Sequence, residues 1–255
     1  MSPRRLRVIV PTALALFAAL AAAAAGEVVQ KGDVRVTFEG QLTPKALPRS
    51  GEAPVHVSVG ARISALKESD PPKLRRISIA INSGGHFSPS VVPLCTIRDI
   101  QPSTTQNALK ACGDSLVGTG QFSAKVLYPQ QAAFPSGGKL YAFNGRYQGH
   151  PAILAHVYGT KPVPSSFTLP FVITERKGEL GTVLTAALAE VTGKAGYITG
   201  LSLNLGRTVG GRSYLSASCP APKGIGGGVF TFAKANFDFG NRSLSSTLTR
   251  SCKVR

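Results

Sequence analysis

The sequence predicts an all-β protein built as an antiparallel β-sandwich. Apolar and polar residues alternate in many short segments, which is the pattern of strands with one buried face. The chain contains 18 prolines and 28 glycines, and they cluster between these segments, where an antiparallel fold needs turns. Only one segment, 104–112, has a helical pattern.

The predicted strands share a period of two residues, which places every second side chain on the same face of a sheet. Segment 229–239 is instead apolar at consecutive positions, and this predicts a central strand covered on both faces. The clearest alternating segments are 34–38, 55–59, 77–81, 122–128, 167–173 and 201–205.

The predicted helix begins at Thr104 or Thr105, since threonine side chains cap helix N-termini, and it ends at Cys112 and Gly113. Segment 186–191 is a second, shorter helical candidate. The β-branched residues before it, at 182–185, favour a strand instead.

The first 25 residues have the three parts of a secretory signal peptide. Arginines near the start precede an apolar run, and Ala23 to Ala25 form a cleavage site before Gly26. The alternative is an uncleaved anchor helix, but the apolar stretch is near the lower length limit for a membrane span. The sequence therefore predicts an extracellular or cell-envelope protein that begins near Gly26.

The chain is strongly basic, with a formal net charge of +17 at pH 7. Loss of residues 1–25 removes three arginines and no acidic residue, which leaves +14. This charge predicts an anionic partner outside the cytoplasm, either a cell-wall polymer or lipid headgroups, and no nucleic acid is expected. The alternative is that the charge serves solubility or reflects the codon bias of a high-GC genome. The basic residues are spread over Lys73, Arg75, Arg76, Arg176, Lys177, Arg207, Arg212, Arg250, Lys253 and Arg255.

Four cysteines, an even number in an exported chain, predict two disulfides. They are Cys95, Cys112, Cys219 and Cys252, and they allow three pairings. The local pairing, 95 with 112 and 219 with 252, closes the shortest loops. Zinc binding is disfavoured because no C-x-x-C spacing is present.

An internal similarity divides the chain into two candidate halves, 26–145 and 146–255. Segments 77–95 and 201–219 each read as an alternating strand, a Gly-Gly loop and a cysteine at the same offset. Under this hypothesis the local pairing places one disulfide in each half. The halves form either two sandwich-like domains or one large sandwich, and chance similarity between two hairpins is the alternative.

Three stretches carry a resemblance to a known family: LRRISIAIN (74–82), FNGRYQGHPAILAHVYGTKPVPSSFTLPFVI (143–173) and SYLSASCPAPKG (213–224). The chain resembles a family of exported, functionally uncharacterised proteins from high-GC Gram-positive (actinobacterial) soil bacteria. The resemblance extends over nearly all of the chain after residue 25. It implies export and a bacterial envelope context, and it implies no activity, cofactor or site residue.

The sequence predicts no catalytic, cofactor-binding or metal-binding residue. The chain has four histidines, His56, His86, His150 and His156, but no G-x-S-x-G elbow. His150 and His156 lie six residues apart along one predicted strand, about 20 Å, which is too far to share an ion.

The leading functional hypothesis is a non-enzymatic binding or structural module that associates with anionic surfaces. The first alternative is a carrier whose sheets enclose a lipid or another apolar ligand. The second alternative is an extracellular hydrolase.

Overall fold

A computed structural model describes residues 26–66, 70–127, 130, 132–161, 164–188 and 196–255. The predicted signal peptide, 1–25, lies outside these residues. The strands and α-helices are β1 (Glu27–Lys31), β2 (Val34–Thr43), β3 (Ala46–Leu47), β4 (Ala53–Pro54), β5 (His56–Ala65), β6 (Arg76–Ile81), β7 (Gly85–Phe87), α1 (Ile97–Ile100), α2 (Thr105–Cys112), β8 (Leu116–Val126), β9 (Phe134–Tyr147), β10 (His150–Gly159), β11 (Ser165–Glu175), β12 (Thr182–Ala187), β13 (Gly196–Leu205), β14 (Thr208–Val209), β15 (Arg212–Ser213), β16 (Leu215–Ala217), β17 (Gly227–Asp238) and β18 (Ser243–Val254).

The all-β prediction is confirmed. Helix α2 occupies the predicted segment, and its N-cap is Thr104, whose Oγ1 accepts a hydrogen bond from the Asn107 amide at 3.2 Å. Helix α1 is a single turn that the sequence pattern did not predict. Segment 182–187 is a strand, β12, as its β-branched residues favoured.

Thirteen strands form one sheet in the order β1-β2-β5-β13-β8-β9-β10-β11-β12-β6-β17-β18-β3. Neighbouring strands are antiparallel, except that β3 pairs in parallel with β18. Strand β3 follows β2 by only two residues, yet the two strands lie near opposite ends of the sheet order. The sheet must therefore curl until its first strands meet its last.

Aromatic contacts show that the curled sheet has two facing layers. The ring of Phe38 in β2 meets Phe237 in β17 edge to face at 6.0 Å, and Phe122 in β8 meets Phe167 in β11 at 5.0 Å. An ion pair of 2.7 Å between Arg242 Nη1 and Asp33 Oδ1 also joins the two ends of the sheet. The sandwich is thus one sheet folded over a shared apolar core.

The strand order of the main sheet divides into two groups of six strands that are arranged alike. Six strands, β1-β2-β5-β13-β8-β9, are followed by β10-β11-β12-β6-β17-β18. The fourth place in each group is held by a strand from the other part of the chain, since β13 lies among the early strands and β6 among the late ones. Residues 26–145 and 146–255 therefore share one sheet and one core, and their origin as two related halves stays a prediction.

The expectation that both faces of 229–239 are covered is wrong. Strand β17 pairs with β6 and β18 along both edges, but its outer face is open and Val229 is 69% exposed. The register shifts between Thr231 and Ala233, where Phe232 is an extra residue. Such a bulge changes which side chains face inward. The consecutive apolar residues Phe232 and Ala233 both line the interior for this reason.

A second apolar cluster lies outside the sandwich, under the two helices. Ala152 and Leu154 project from the outer face of β10, and Ile100 and Ala108 cover them from α1 and α2. Buried Asn144 holds the segment that precedes α1 in place, since its Nδ2 donates to the carbonyls of residues 89, 92 and 93. The helices therefore form a small lid over β9 and β10.

The disulfides follow the local pairing, Cys95 with Cys112 and Cys219 with Cys252. The first disulfide joins the segment just before α1 to the last residue of α2, beside β9. The second joins the segment that follows β16 to strand β18. Two disulfides are typical of proteins in an oxidising compartment. Within the described ranges, no helix is long and apolar enough to cross a membrane.

Candidate ligand cavity

A three-stranded sheet, in the order β4-β16-β7, covers part of the space between the two layers. It is held to the main sheet by the disulfide of Cys219 and by a 3.1 Å hydrogen bond from the Val55 amide to the Leu215 carbonyl. Fully buried Tyr214 anchors it through an edge-to-face contact with Phe87 at 5.9 Å. No hydrogen bond reaches the Tyr214 hydroxyl among the described residues, and burial raises its pKa.

An apolar cavity of about 230 Å³ lies between the layers and this small sheet. Its walls come from β2, β5 and β13 on one layer and from β6, β17 and β18 on the other. The apolar side chains that line it include Leu42, Val57, Val59, Ile79, Ile81, Phe87, Leu201, Leu203, Leu205, Leu215, Phe230 and Phe232.

The cavity explains a feature of the burial pattern. Val57 and Val59 in β5, and Ile79 and Ile81 in β6, line the cavity but are only half-buried. Ile77 and Ile63, at the far ends of the same strands, are buried and belong to the close-packed core. The strands therefore separate toward one end, and the space between them stays open.

Among the described residues, nine polar or charged residues line the cavity: Gln41, Lys45, Asn82, His86, Ser216, Ser218, Thr231, Arg250 and Ser251. Both polar atoms of the Asn82 side chain have a partner within the chain. Its Nδ2 donates to the Thr231 carbonyl at 2.9 Å, and its Oδ1 accepts from the Gly84 amide at 2.8 Å.

Arg250 belongs to the inward-facing series of β18. Its neighbours in that series, Leu248 and Cys252, are buried, whereas Thr249 and Ser251 between them are exposed. The Arg250 Nε donates to the Gly40 carbonyl at 2.6 Å, and Nη1 donates to the Thr249 carbonyl at 2.7 Å. Nη2 is enclosed and has no hydrogen-bond partner among the described residues.

The close approach of β2 to β17 and β18 depends on Gly40. A Cβ at this position would lie 3.0 Å from a ring carbon of Phe232 and 3.1 Å from a methyl carbon of Leu248. A larger residue would displace both side chains, of which Phe232 lines the cavity. Gly40 thereby keeps its carbonyl within reach of the Arg250 guanidinium.

A histidine, a carboxylate and a serine meet beside the cavity. Glu52 lies 3.5 Å from His86 Nε2 through one oxygen, and its other oxygen accepts a hydrogen bond from the Ser216 hydroxyl. A hydrolase triad needs the imidazole between the serine and the acid, so that the imidazole can accept the hydroxyl proton. Here the carboxylate holds the central place, and both His86 and Glu52 are widely exposed, which does not match a triad.

The remaining histidines are dispersed. His56 borders a more open and more polar cleft of about 400 Å³ with Thr119 and Asn204, and His150 is exposed at the start of β10. His156 is fully buried on the outer face of β10, where its ring lies beside the Ile100 backbone. Burial therefore lowers the pKa of His156 and keeps it neutral at pH 7.

One cluster in the described part of the chain has the composition of a metal site, formed by Cys95, Asp99 and Cys112. Both sulfur atoms are joined in a disulfide, so neither is a thiolate ligand. The Asp99 carboxylate accepts hydrogen bonds from the amide and hydroxyl of Thr96, which makes it part of the cap of α1.

No family model, curated protein or solved structure matches the chain. The resemblance to exported actinobacterial proteins therefore stays an expectation, and functional inference rests on the cavity and its side chains.

The sequence raised a carrier with an apolar interior only as an alternative and could not locate the cavity, and the inward position of Arg250 was missed. Alternation identified the apolar face of each strand but cannot show whether two faces touch. A signal for Arg250 was present, since Leu244, Leu248 and Cys252 place it on the apolar side of the period-two pattern.

Proposed function

We propose that the protein is an exported, non-enzymatic carrier that holds an apolar ligand, such as an acyl chain, in the cavity between its two layers. The observation that carries the proposal is the cavity of about 230 Å³, whose surface is mostly aliphatic and aromatic. Concave apolar sites with a few polar groups are the usual form of small-ligand sites.

Two further observations support a binding role. Several lining residues, among them Val57, Val59 and Ile79, are only half-buried, so a ligand would remove additional apolar surface from water. The walls of the cavity are paired strands, and the Cys219–Cys252 disulfide reinforces them at Cys252. A preformed cavity lowers the entropic cost of binding.

Export is part of the proposal. The sequence of residues 1–25 supports it, and the two disulfides are compatible with an oxidising compartment. Mass spectrometry of the protein from the culture medium tests this part. We expect a mature N-terminus at or near Gly26, and a chain that retains residues 1–25 in the membrane fraction would contradict export by cleavage.

The carrier proposal is tested with a neutral fluorescent probe, N-phenyl-1-naphthylamine, and the variant Ile79→Trp. Ile79 is half-buried and lines the cavity, so the indole would occupy the space that the ligand needs. Overpacking a filled core costs about 1–3 kcal/mol. Because open space is available, we expect Ile79→Trp to fold with little or no loss of stability and to bind the probe much more weakly.

The matched control is Val229→Trp, which adds the same indole at a position that is 69% exposed on the outer face of β17. This variant should bind the probe like the wild-type protein. Failure of the wild-type protein to bind the neutral probe or an alkane competitor would overturn the carrier proposal. Equal binding by Ile79→Trp and Val229→Trp would place the probe elsewhere and would also overturn it.

Association with anionic surfaces is a second candidate function, favoured by the charge. After residue 25 the chain carries a net charge of +14, so most Lys and Arg side chains have no carboxylate available in the same chain. Cosedimentation with anionic and zwitterionic vesicles tests this role. We expect binding to anionic vesicles that weakens with added salt, and equal binding to both vesicle types would contradict it.

A further inference from the structure

We infer that the cavity selects an anionic single-chain amphiphile, whose oxyanion head group binds the Arg250 guanidinium while its apolar chain lies between the layers. This inference rests on the proposed carrier function and specifies the ligand class. The shared chemistry is that of a carboxylate or a phosphate monoester, either of which can accept paired hydrogen bonds from arginine.

The first step is the position of Arg250. An arginine on the inward face of a strand is unusual, since charged side chains are rarely buried without a partner. Arg250 stands opposite Phe230 in the register of β17 and β18, and both residues line the cavity. The Arg250 side chain therefore adds a cation to a mostly apolar wall.

The second step is that the protein leaves this cation incompletely satisfied. Two carbonyls, those of Gly40 and Thr249, accept hydrogen bonds from Nε and Nη1, but Nη2 has no partner among the described residues. Two other arginines have partners for their terminal nitrogens. Arg242 pairs with Asp33 at 2.7 Å, and Arg49 donates to two carbonyls through its two terminal nitrogens.

The third step is the charge of the cavity wall. Among the described residues, the charged side chains of the lining are those of Arg250 and Lys45, and no aspartate or glutamate is present there. Glu52, close by, is engaged by His86 and Ser216. A cation beside apolar surface attracts an anion more strongly than it would in water, because the surrounding dielectric is low.

The fourth step is the fit to one molecule. Lys45 and Arg250 lie on the side of the cavity formed by the β3–β18 pair, where the Lys253 amide donates to the Lys45 carbonyl. The half-buried side chains of β5 and β6 extend from there toward the core. A ligand with one charged end and one apolar chain matches this division, whereas a neutral alkane leaves the cation unpaired.

Competition between ligands of equal chain length tests the inference. The assay measures the displacement of N-phenyl-1-naphthylamine by dodecanoate, by dodecyl phosphate and by 1-dodecanol. It compares the wild-type protein with Arg250→Gln, Arg250→Lys and the control Arg35→Gln. Arg35 lies on the exposed face of β2, so this control removes the same charge away from the cavity. We expect the wild-type protein and Arg35→Gln to prefer an anionic ligand over dodecanol by about tenfold or more, as a charge-assisted hydrogen bond would give.

Arg250→Gln should lose that preference while it keeps its affinity for dodecanol, which also shows that the variant is folded. Arg250→Lys should retain part of the preference. A stronger loss for dodecanoate than for dodecyl phosphate identifies the head group as a carboxylate, and the reverse identifies a phosphate.

Equal affinity of the wild-type protein for dodecanol and both anions would overturn the inference and leave the carrier function standing. Loss of dodecanol binding in both Arg250 variants would also overturn it, because Arg250 would then shape the cavity rather than select the ligand. Absence of binding by all three ligands in the wild-type protein would overturn the carrier function itself.

Discussion

Replacement of Phe237 by alanine tests whether the two layers are in contact as the structure shows. Phe237 is completely buried in β17, and its ring meets Phe38 of β2 edge to face at 6.0 Å. Removal of a buried phenylalanine ring costs about 3–5 kcal/mol, through lost burial and the cavity left behind. We therefore expect Phe237→Ala to lower the free energy of unfolding by that amount.

The aromatic contact itself can be isolated in a double-mutant cycle with Phe38→Ala. Edge-to-face pairs contribute about 0.5–1.5 kcal/mol beyond their burial, so the two single effects should exceed the double effect by about that much. Urea unfolding followed by far-ultraviolet circular dichroism is a suitable assay, because the chain contains no tryptophan.

The control for this cycle is Val229→Ala on the outer face of the same strand, which should change stability by less than about 0.5 kcal/mol. A loss below about 1 kcal/mol for Phe237→Ala, or zero coupling with Phe38→Ala, would contradict the packing of β17 against β2.

Three further predictions concern other parts of the fold. Because burial lowers the pKa of His156, the unfolded chain binds a proton at this residue before the folded protein does as the pH falls below 6.5. In a pH series of thermal melts, the stability of the wild-type protein should therefore decline from that pH downward, and it should decline less steeply in His156→Met. The control variant His150→Gln should behave like the wild-type protein in the same series. Loss of the Cys219–Cys252 disulfide by double alanine substitution should cost about 3–4 kcal/mol on the loop-entropy model, measured by urea unfolding, and an unchanged midpoint would contradict a structural role. Gly120→Ala should destabilise by about 1–3 kcal/mol, because the new Cβ would lie 1.9 Å from the Ser202 carbonyl oxygen, and a neutral result would contradict the close pairing of β8 and β13.

Local features were predictable from the sequence because their causes are local. The alternation in 34–38 and 77–81 specifies strands β2 and β6 through side-chain period alone. The cap at Thr104 and the stop after Cys112 specify α2 in the same way. The local disulfide pairing follows from short loop closure.

Long-range features were not predictable in this way. The exchange of β6 and β13 between the two groups of strands depends on pairings between residues more than a hundred positions apart. The bulge at Phe232 shifts the phase of β17, and consecutive apolar residues were therefore misread as a strand covered on both faces. Both features depend on neighbouring strands that the local pattern does not identify.

In the candidate site, too, the local features were predictable from the sequence and the long-range features were not. Its aliphatic walls come from strands whose apolar faces were recognised, but the open space depends on the separation of β5 from β6 in the folded sheet. Arg250 was grouped with Lys253 and Arg255 as surface charge, whereas the structure turns Arg250 inward and leaves Lys253 exposed. The hydrogen bond to Gly40 that holds it spans 210 positions of sequence.

The most direct test of the carrier function is a crystal structure of the protein with 12-bromododecanoate, in which anomalous scattering locates the bromine. We predict a bromine peak inside the cavity, among the side chains of Ile79, Leu203 and Phe230, with the carboxylate on the side of Arg250. The peak should be absent from crystals of Ile79→Trp. Bromine found only on the outer surface of the sheet, with the cavity unchanged, would contradict the account.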